Sequence, residues 1–315
     1  MLRSVKENME HRTSERFSRR TLLAGAGLLL GDFGPAPAAT PGKLKVAIFS
    51  KHLQFVQGDE LARTAAEIGF DTVDITVRKG GHIEPERVRQ ELPGLVEIIR
   101  KHGLEVPMIT TDIVDTATPF AEDILRTMAD LGIRHYRWGG FRYAGNTPIV
   151  AQLEALKPRV AKLAALNARY QACAMYHTHS GVDLVGASSW DLHILLDGVD
   201  PNAAAVNFDI GHATVEGGLG GWINNFRITQ DHLRGIAVKD FVWGKDTKGS
   251  WQPQWKPLGE GMVRFPQFFR MVAASGFNGP LQMHFEYEMG SPAETMAFMK
   301  RDLATLRGYL AQASL

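Results

Sequence analysis

Four short runs gather side chains able to hold a cation or grip a polar guest: Tyr176-His177-Thr178-His179, Asp209-Ile210-Gly211-His212, Val238-Lys239-Asp240 and His284-Phe285-Glu286. Each lies at the end of a β-like segment, where successive side chains point to opposite faces. Over 204–209, Ala204, Val206 and Phe208 suit packing on helices, which turns Ala205, Asn207 and Asp209 the other way. Over 280–286, Leu281, Met283 and Phe285 form the apolar set and Gln282, His284 and Glu286 the polar one. The same division sets Ala237 and Lys239 opposite Ile236 and Val238, and sets Asp74, Thr76 and Arg78 opposite Val73, Ile75 and Val77. With Cys173 and Met175 on the polar side, His177 follows them inward and His179 stands just above it. Charges buried together cost several kcal/mol each unless they are paired or bind a metal. Such a ring calls for a cation or a polyhydroxylated guest; a self-satisfied network, for example Asp209 with Lys239, is the alternative.

These segments belong to a regular alternation. Strand-like runs at 44–50, 72–78, 105–110, 134–138, 170–177, 204–209, 235–240 and 280–286 are separated by amphipathic runs at 58–68, 86–102, 120–131, 148–166, 265–274 and 293–311. Several of these close on a glycine: Gly69, Gly103, Gly132 and Gly276. Repetition of strand, helix and stop predicts parallel βαβ units. Eight units in one chain of this size predict a single (β/α)8 TIM barrel over 44–315, whose strand ends form one mouth. The first strand is followed by Ser50-Lys51-His52-Leu53-Gln54, without the Gly-rich phosphate turn of a doubly wound sheet. The segment 241–261 reads as one long loop in which Trp243, Trp251 and Trp255 form a sugar-stacking lid, a hydrophobic plug or a subunit contact.

Residues 1–38 run from basic through apolar to small, the order of a secretory leader, and 39–43 read as a linker. Ser18-Arg19-Arg20-Thr21-Leu22-Leu23 resembles a twin-arginine signal, although paired arginines also precede ordinary apolar leader segments. The expectation is export to the periplasm or the exterior without a stable membrane anchor, because the apolar stretch is far shorter than the roughly 20 residues of a span. Loss of 1–38 removes six basic and four acidic side chains, taking the formal charge from +1 to −1. That surface has no electrostatic footprint for nucleic acid. The single cysteine, Cys173, rules out an intrachain disulfide and reads as inert core.

Ile68-Gly69-Phe70-Asp71-Thr72-Val73-Asp74, Asp209-Ile210-Gly211-His212, Val238-Lys239-Asp240, Pro257-Leu258-Gly259-Glu260-Gly261 and Gly279-Pro280-Leu281, in this order, resemble the xylose isomerase-like superfamily of sugar phosphate isomerases and epimerases. Its relatives include ketose 3-epimerases, hydroxypyruvate isomerase and inosose dehydratase. The resemblance implies one divalent metal held by a Glu on the fifth strand, an Asp on the sixth, a His on the seventh and a Glu on the eighth, with both glutamates moving protons in the epimerases. Asp209 and the substrate-contacting His212 match. The fifth-strand Glu falls at His177, the eighth at His284 with Glu286 two residues on, and the seventh-strand His falls at Ala237. The paired-glutamate shuttle is therefore not reproduced. His177, Asp209, His284 and Glu286 still form a set of two nitrogen and two oxygen donors suited to Zn²⁺ or Mn²⁺.

The implied chemistry is removal of a proton α to a carbonyl, through an enediolate, on a keto-sugar or related polyol. Glu286 and His212 are the candidate bases and Lys239 the electrostatic stabiliser, with Arg78, His82, Trp138 and His179 as substrate contacts. An isomerase or epimerase is the first expectation. A lyase or dehydratase on a keto-sugar or keto-inositol is the second, since the histidines of the fifth strand are similar to those of inosose dehydratase-like members. A non-catalytic sugar-binding barrel is the third. The partner expected is a small carbohydrate, and self-association is compatible with every reading.

Overall fold

A computed structural model describes residues 43–315; the leader at 1–38 and all but the last residue of the linker at 39–43 lie outside the described residues. Alternating strands and helices run β1 (Val46–Phe49), α1 (Gly58–Ile68), β2 (Thr72–Val77), α2 (Val88–Lys101), β3 (Glu105–Thr111), α3 (Ala121–Leu131), β4 (His135–Trp138), α4 (Ile149–Arg169) and β5 (Cys173–His177). They continue with α5 (Ser189–Leu195), β6 (Ala204–Asp209), α6 (Ile210–Gly217), α7 (Gly221–Ile228), β7 (Leu233–Val238), β8 (Asp240–Lys245), β9 (Trp251–Lys256), α8 (Phe265–Ala274), β10 (Leu281–Met283) and α9 (Pro292–Gln312). Eight strands close in the order β1-β10-β7-β6-β5-β4-β3-β2, all parallel. This is the (β/α)8 barrel that the alternation predicts.

Helix formation follows the spacing of apolar residues. In α1, Leu61, Ala62, Ala65 and Ile68 fall on one face and are buried against the sheet. Asp59 and Glu60 favour its N-terminal end, and Gly69 ends it at φ 104°, where a side chain would be strained. No helix of the described residues is long and apolar enough to cross a membrane.

The parity argument appears in the packing as two separate apolar clusters. The larger lies between barrel and helices and takes Val73, Ile75 and Val77 of β2, Tyr136 and Trp138 of β4, and Val206 and Phe208 of β6. The smaller, Met108, Cys173, Met175 and Ala205, floors the barrel interior. Above it the inward side chains turn polar.

Two expectations change. The segment 241–261 is largely a β-hairpin: β8 and β9 pair antiparallel, and the Asp246 carboxylate accepts the backbone N–H groups of Lys248 and Ser250 at the turn. Gly244 and Pro253 hide its alternation, and its two strands stand apart from the main sheet. The eighth barrel strand ends at Met283, so His284 and Glu286 lie beyond the ladder and not within it.

Candidate active site

Asp209 ends β6 and caps α6. Its Oδ1 accepts the His212 N–H at 2.9 Å, which leaves Oδ2 for the barrel mouth. The Asp209 N–H donates to Thr178 Oγ1 at 2.8 Å, tying β6 to the end of β5. Around Oδ2 stand His177 Nε2 at 3.6 Å, His284 Nδ1 at 3.8 Å and Lys239 Nζ at 3.3 Å. All four residues are buried. Four separate strand ends therefore deliver one imidazole, one carboxylate, one amine and a second imidazole to a single point.

His177, Asp209 and His284 each offer a donor atom within 4.8 Å of the others. Asp209 Oδ2 and both ring nitrogens of His284 have no hydrogen-bond partner. Buried polar atoms are normally satisfied, so three orphans at one point mark a place for a cation or a polar guest. Burial holds both imidazoles well below their ordinary range, with nearby cationic groups (Arg137, Lys239) adding to it, so they stay neutral and keep lone pairs. Burial pushes the Asp209 carboxyl up against the pull of Lys239 and the His212 N–H. Asn207 lies beside His177 Nδ1 at 3.3 Å, and its Oδ1 is without a partner. Turned so that Oδ1 accepts Nδ1–H, the amide fixes the tautomer whose Nε2 lone pair faces Asp209. The donor set fits a divalent metal.

Glu286 does not join that trio. It pairs instead with Lys239, with Oε1 3.3 Å from Nζ. Burial pushes its carboxyl up, but Lys239, Lys51 and His52 outweigh this and leave it below the usual range, hence ionised. Lys239 also donates to His212 Nε2 at 2.6 Å, and His212 Nδ1 pairs with Ser180 Oγ at 2.7 Å. Both nitrogens of His212 are therefore engaged, and its place is to hold the amine. Gly211 makes room for this: a Cβ there would lie 2.6 Å from Lys239 Cγ.

Trp255 of β9 covers the amine, with Nζ 4.6 Å from its ring centroid, and meets His212 edge-on at 5.2 Å. Trp243 and Trp251 are exposed on the hairpin. The hairpin is anchored by Asp240, whose carboxylate accepts the N–H groups of Phe241, Gly259, Gly261 and Val263 at 2.9–3.1 Å. Within Lys239-Asp240 the first residue serves the site and the second the scaffold.

Beside the trio, on the β2–β5 side, a cavity of about 260 Å³ is lined by residues that include Arg78, Arg137, Trp138, His177 and His179. His179 gives Nδ1 to the Ser180 carbonyl at 2.8 Å and stacks on His212 at 3.7 Å, leaving Nε2 toward the cavity. Trp138 contributes only its edge: the ring is packed on Phe141 and Tyr176, and its N–H donates to the Val114 carbonyl. His82 is not brought to the cavity, since its two ring nitrogens face Thr76 Oγ1 and the Val56 carbonyl at 3.1 and 3.2 Å. Sequence reasoning missed Arg137 and His52. Arg137 was legible, because the parity that packs Tyr136 and Trp138 outward turns it inward. His52 follows β1 in a 3₁₀ turn with no period to read; its Nε2 accepts the Phe285 N–H at 3.1 Å and so steers the chain that carries His284 and Glu286.

The barrel is similar to solved structures at low sequence identity. A xylose isomerase-like TIM barrel protein from Mycobacterium smegmatis, in complex with magnesium, matches with a TM-score of 0.64 at 15% identity over 87% of this chain and 100% of its own. A D-psicose 3-epimerase from Clostridium cellulolyticum H10, with D-tagatose, matches with a TM-score of 0.64 at 14% identity over 85% and 99%. The probable 3-DHS dehydratase AsbF from Bacillus anthracis gives 0.61 at 14% identity over 84% and 99%. Such identities speak for the fold and not for the reaction. A search of the curated proteins finds no match. Residues 62–306, the greater part of the sequence, match the family model described as xylose isomerase-like TIM barrel, and the chain belongs to that family.

Proposed function

We propose that the protein is a metal-dependent isomerase or epimerase of a keto-sugar or related polyol, working by proton transfer next to a carbonyl. One observation carries this reading: the orphaned donor atoms of Asp209 and His284, with His177 beside them, adjoin an ionised carboxylate paired with an amine. His177, Asp209 and His284 would hold the ion, Mn²⁺ or Zn²⁺ by donor type. When bound, it supplies Lewis-acid polarisation of the substrate carbonyl and its neighbouring hydroxyl.

Glu286 is the base. Its carboxylate accepts the proton from the carbon next to the carbonyl, and the C–H electron pair becomes the C–C double bond of the enediolate. The Lys239 amine, 3.3 Å from both Asp209 and Glu286, would stabilise the negative charge that builds on oxygen. Returning the proton to the other face of the carbon gives the epimer, and returning it to the neighbouring carbon gives the isomer. Delivery to the other face takes a second group: His179, whose Nδ1–H donates to the Ser180 carbonyl, would first take up a proton from solvent at its Nε2 lone pair and then give it to the carbon, while Glu286 keeps the proton it removed.

β-Elimination is the second reading, favoured by the replacement of both shuttle glutamates by His177 and His284, which leaves Glu286 as the one carboxylate beside the amine that is outside the metal trio. Incubation with ketoses in D₂O tests both. Deuterium entering the carbon next to the carbonyl, without a new ultraviolet absorbance, supports isomerisation or epimerisation. An α,β-unsaturated product supports elimination. Absence of both across metal-loaded samples and a broad ketose panel overturns the catalytic reading in favour of a binding barrel. Export through the leader at 1–38 is part of the proposal, and it favours substrates found outside the cytoplasm.

A further inference from the structure

Within the cavity beside the metal trio, three guanidiniums, Arg78, Arg137 and Arg142, face a single carboxylate, Asp112. Arg78 follows β2 and Arg137 lies on β4, two strands away, yet both converge on the Phe49 ring, with Cζ 5.7 and 5.9 Å from its centroid. Among the described residues neither guanidinium forms an ion pair or donates a hydrogen bond, although both are partly buried. Ten N–H donors in fixed planar forks thus meet a closed apolar ring on one side and an open cavity on the other. Neighbouring like charges at a barrel mouth are costly, and the partner that relieves both is an oxyanion, whose geometry matches the guanidinium fork. Burial and the Arg78 charge hold the Arg137 guanidinium below its ordinary range, against the pull of Asp74, Asp209 and Glu286, consistent with a cation short of a counter-charge.

We infer that Arg78 and Arg137 form an oxyanion clamp, and that the substrate is a polyhydroxylated carbonyl compound carrying a carboxylate or a phosphate. This rests on the proposed function in placing the reacting carbons at the trio. His177 belongs both to the trio and to the cavity wall, so a guest held by the arginines extends toward Asp209 and His284. The clamp determines specificity and touches no reacting atom.

The test is calorimetric binding to the full chain without added metal, which reads the clamp independently of turnover. The probes are D-fructose, 2-keto-D-gluconate (the same keto-polyol with a terminal carboxylate), D-fructose 6-phosphate and inorganic phosphate. The expected result is that one or more of the oxyanions binds at least tenfold more tightly than D-fructose and that high salt weakens it. Arg78→Met and Arg137→Met should each remove this preference with unchanged melting temperature, and Arg137→Lys should keep part of it. A carboxylate preference identifies a sugar acid, and a phosphate preference a sugar phosphate. No oxyanion exceeding D-fructose, or a preference that survives both Met substitutions, overturns the clamp. A preference without deuterium wash-in leaves the clamp and removes the catalytic reading; wash-in on an uncharged ketose without a preference does the reverse.

Discussion

Asp74→Asn should stabilise the protein at neutral pH and do almost nothing in acid. Asp74 is fully buried on the inner face of β2; Thr110 Oγ1 donates to its Oδ2 at 2.8 Å, while Oδ1 has no partner. Burial raises its pKa from 3.8 to about 7, with Thr110, Arg137 and Arg78 pulling the other way. The folded chain therefore holds a proton that the unfolded chain releases near pH 4, and folding takes one up throughout the window from about 4 to 7. Stability falls as pH rises across that window, by about 1.4 kcal/mol per unit, and levels off above it. The accumulated penalty approaches about 4 kcal/mol. Asparagine has the same shape, keeps an acceptor for Thr110 and cannot ionise. Urea unfolding followed by tryptophan fluorescence at pH 4, 5.5, 7 and 8.5 measures it: the two proteins should coincide at pH 4, and the variant should lead by about 4 kcal/mol at pH 8.5. A constant offset, or a wild type gaining on the variant as pH rises, would refute the assignment of a desolvated carboxyl.

Asp209→Ala should abolish retention of Mn²⁺ or Zn²⁺ by elemental analysis, while Cys173→Ala, in the barrel floor, leaves it unchanged; equal loss in both would remove the trio as the site. Asn207→Leu should weaken metal binding by roughly 10–100-fold without removing a ligand, because His177 loses the group that orients it; an unchanged affinity by competition with a chromogenic chelator would show that the amide has no such part. Gly211→Ala should displace Lys239 and lower turnover by about 100-fold, on the scale expected when a catalytic group moves by an ångström, with the metal still bound; wild-type turnover would show that the amine is not needed where it stands.

The parts of this molecule that were legible from sequence are those fixed by a period. β6 and the run 280–286 alternate cleanly, so Asp209 and His284 are assigned to the mouth by sequence alone, and β5 is assigned once Cys173 and Met175 are recognised as the floor. The same rule loses its hold beyond the ladder: His284, one residue past Met283, still follows it because its N–H donates to the Val238 carbonyl at 3.0 Å. Glu286 shares the parity of His284, yet the chain has left the sheet at Met283, and direction there is set by the contact between His52 and the Phe285 N–H. His82 shows the converse: close in sequence to the working face, it is captured by Thr76, a partner that only the folded turn supplies. The short helices α5, α6 and α7 were also unread, since Ile210 to Thr214 are buried on every side and show no amphipathic stripe.

The four-pronged grip of Asp240 also bears on the amine. The residue that anchors the hairpin is bonded directly to the residue that carries the amine, so the tryptophan roof over Lys239 and the amine beneath it share one fixed root. That flank is tied down at its root, and the open space beside the trio lies with the cavity that Arg78 and Arg137 line.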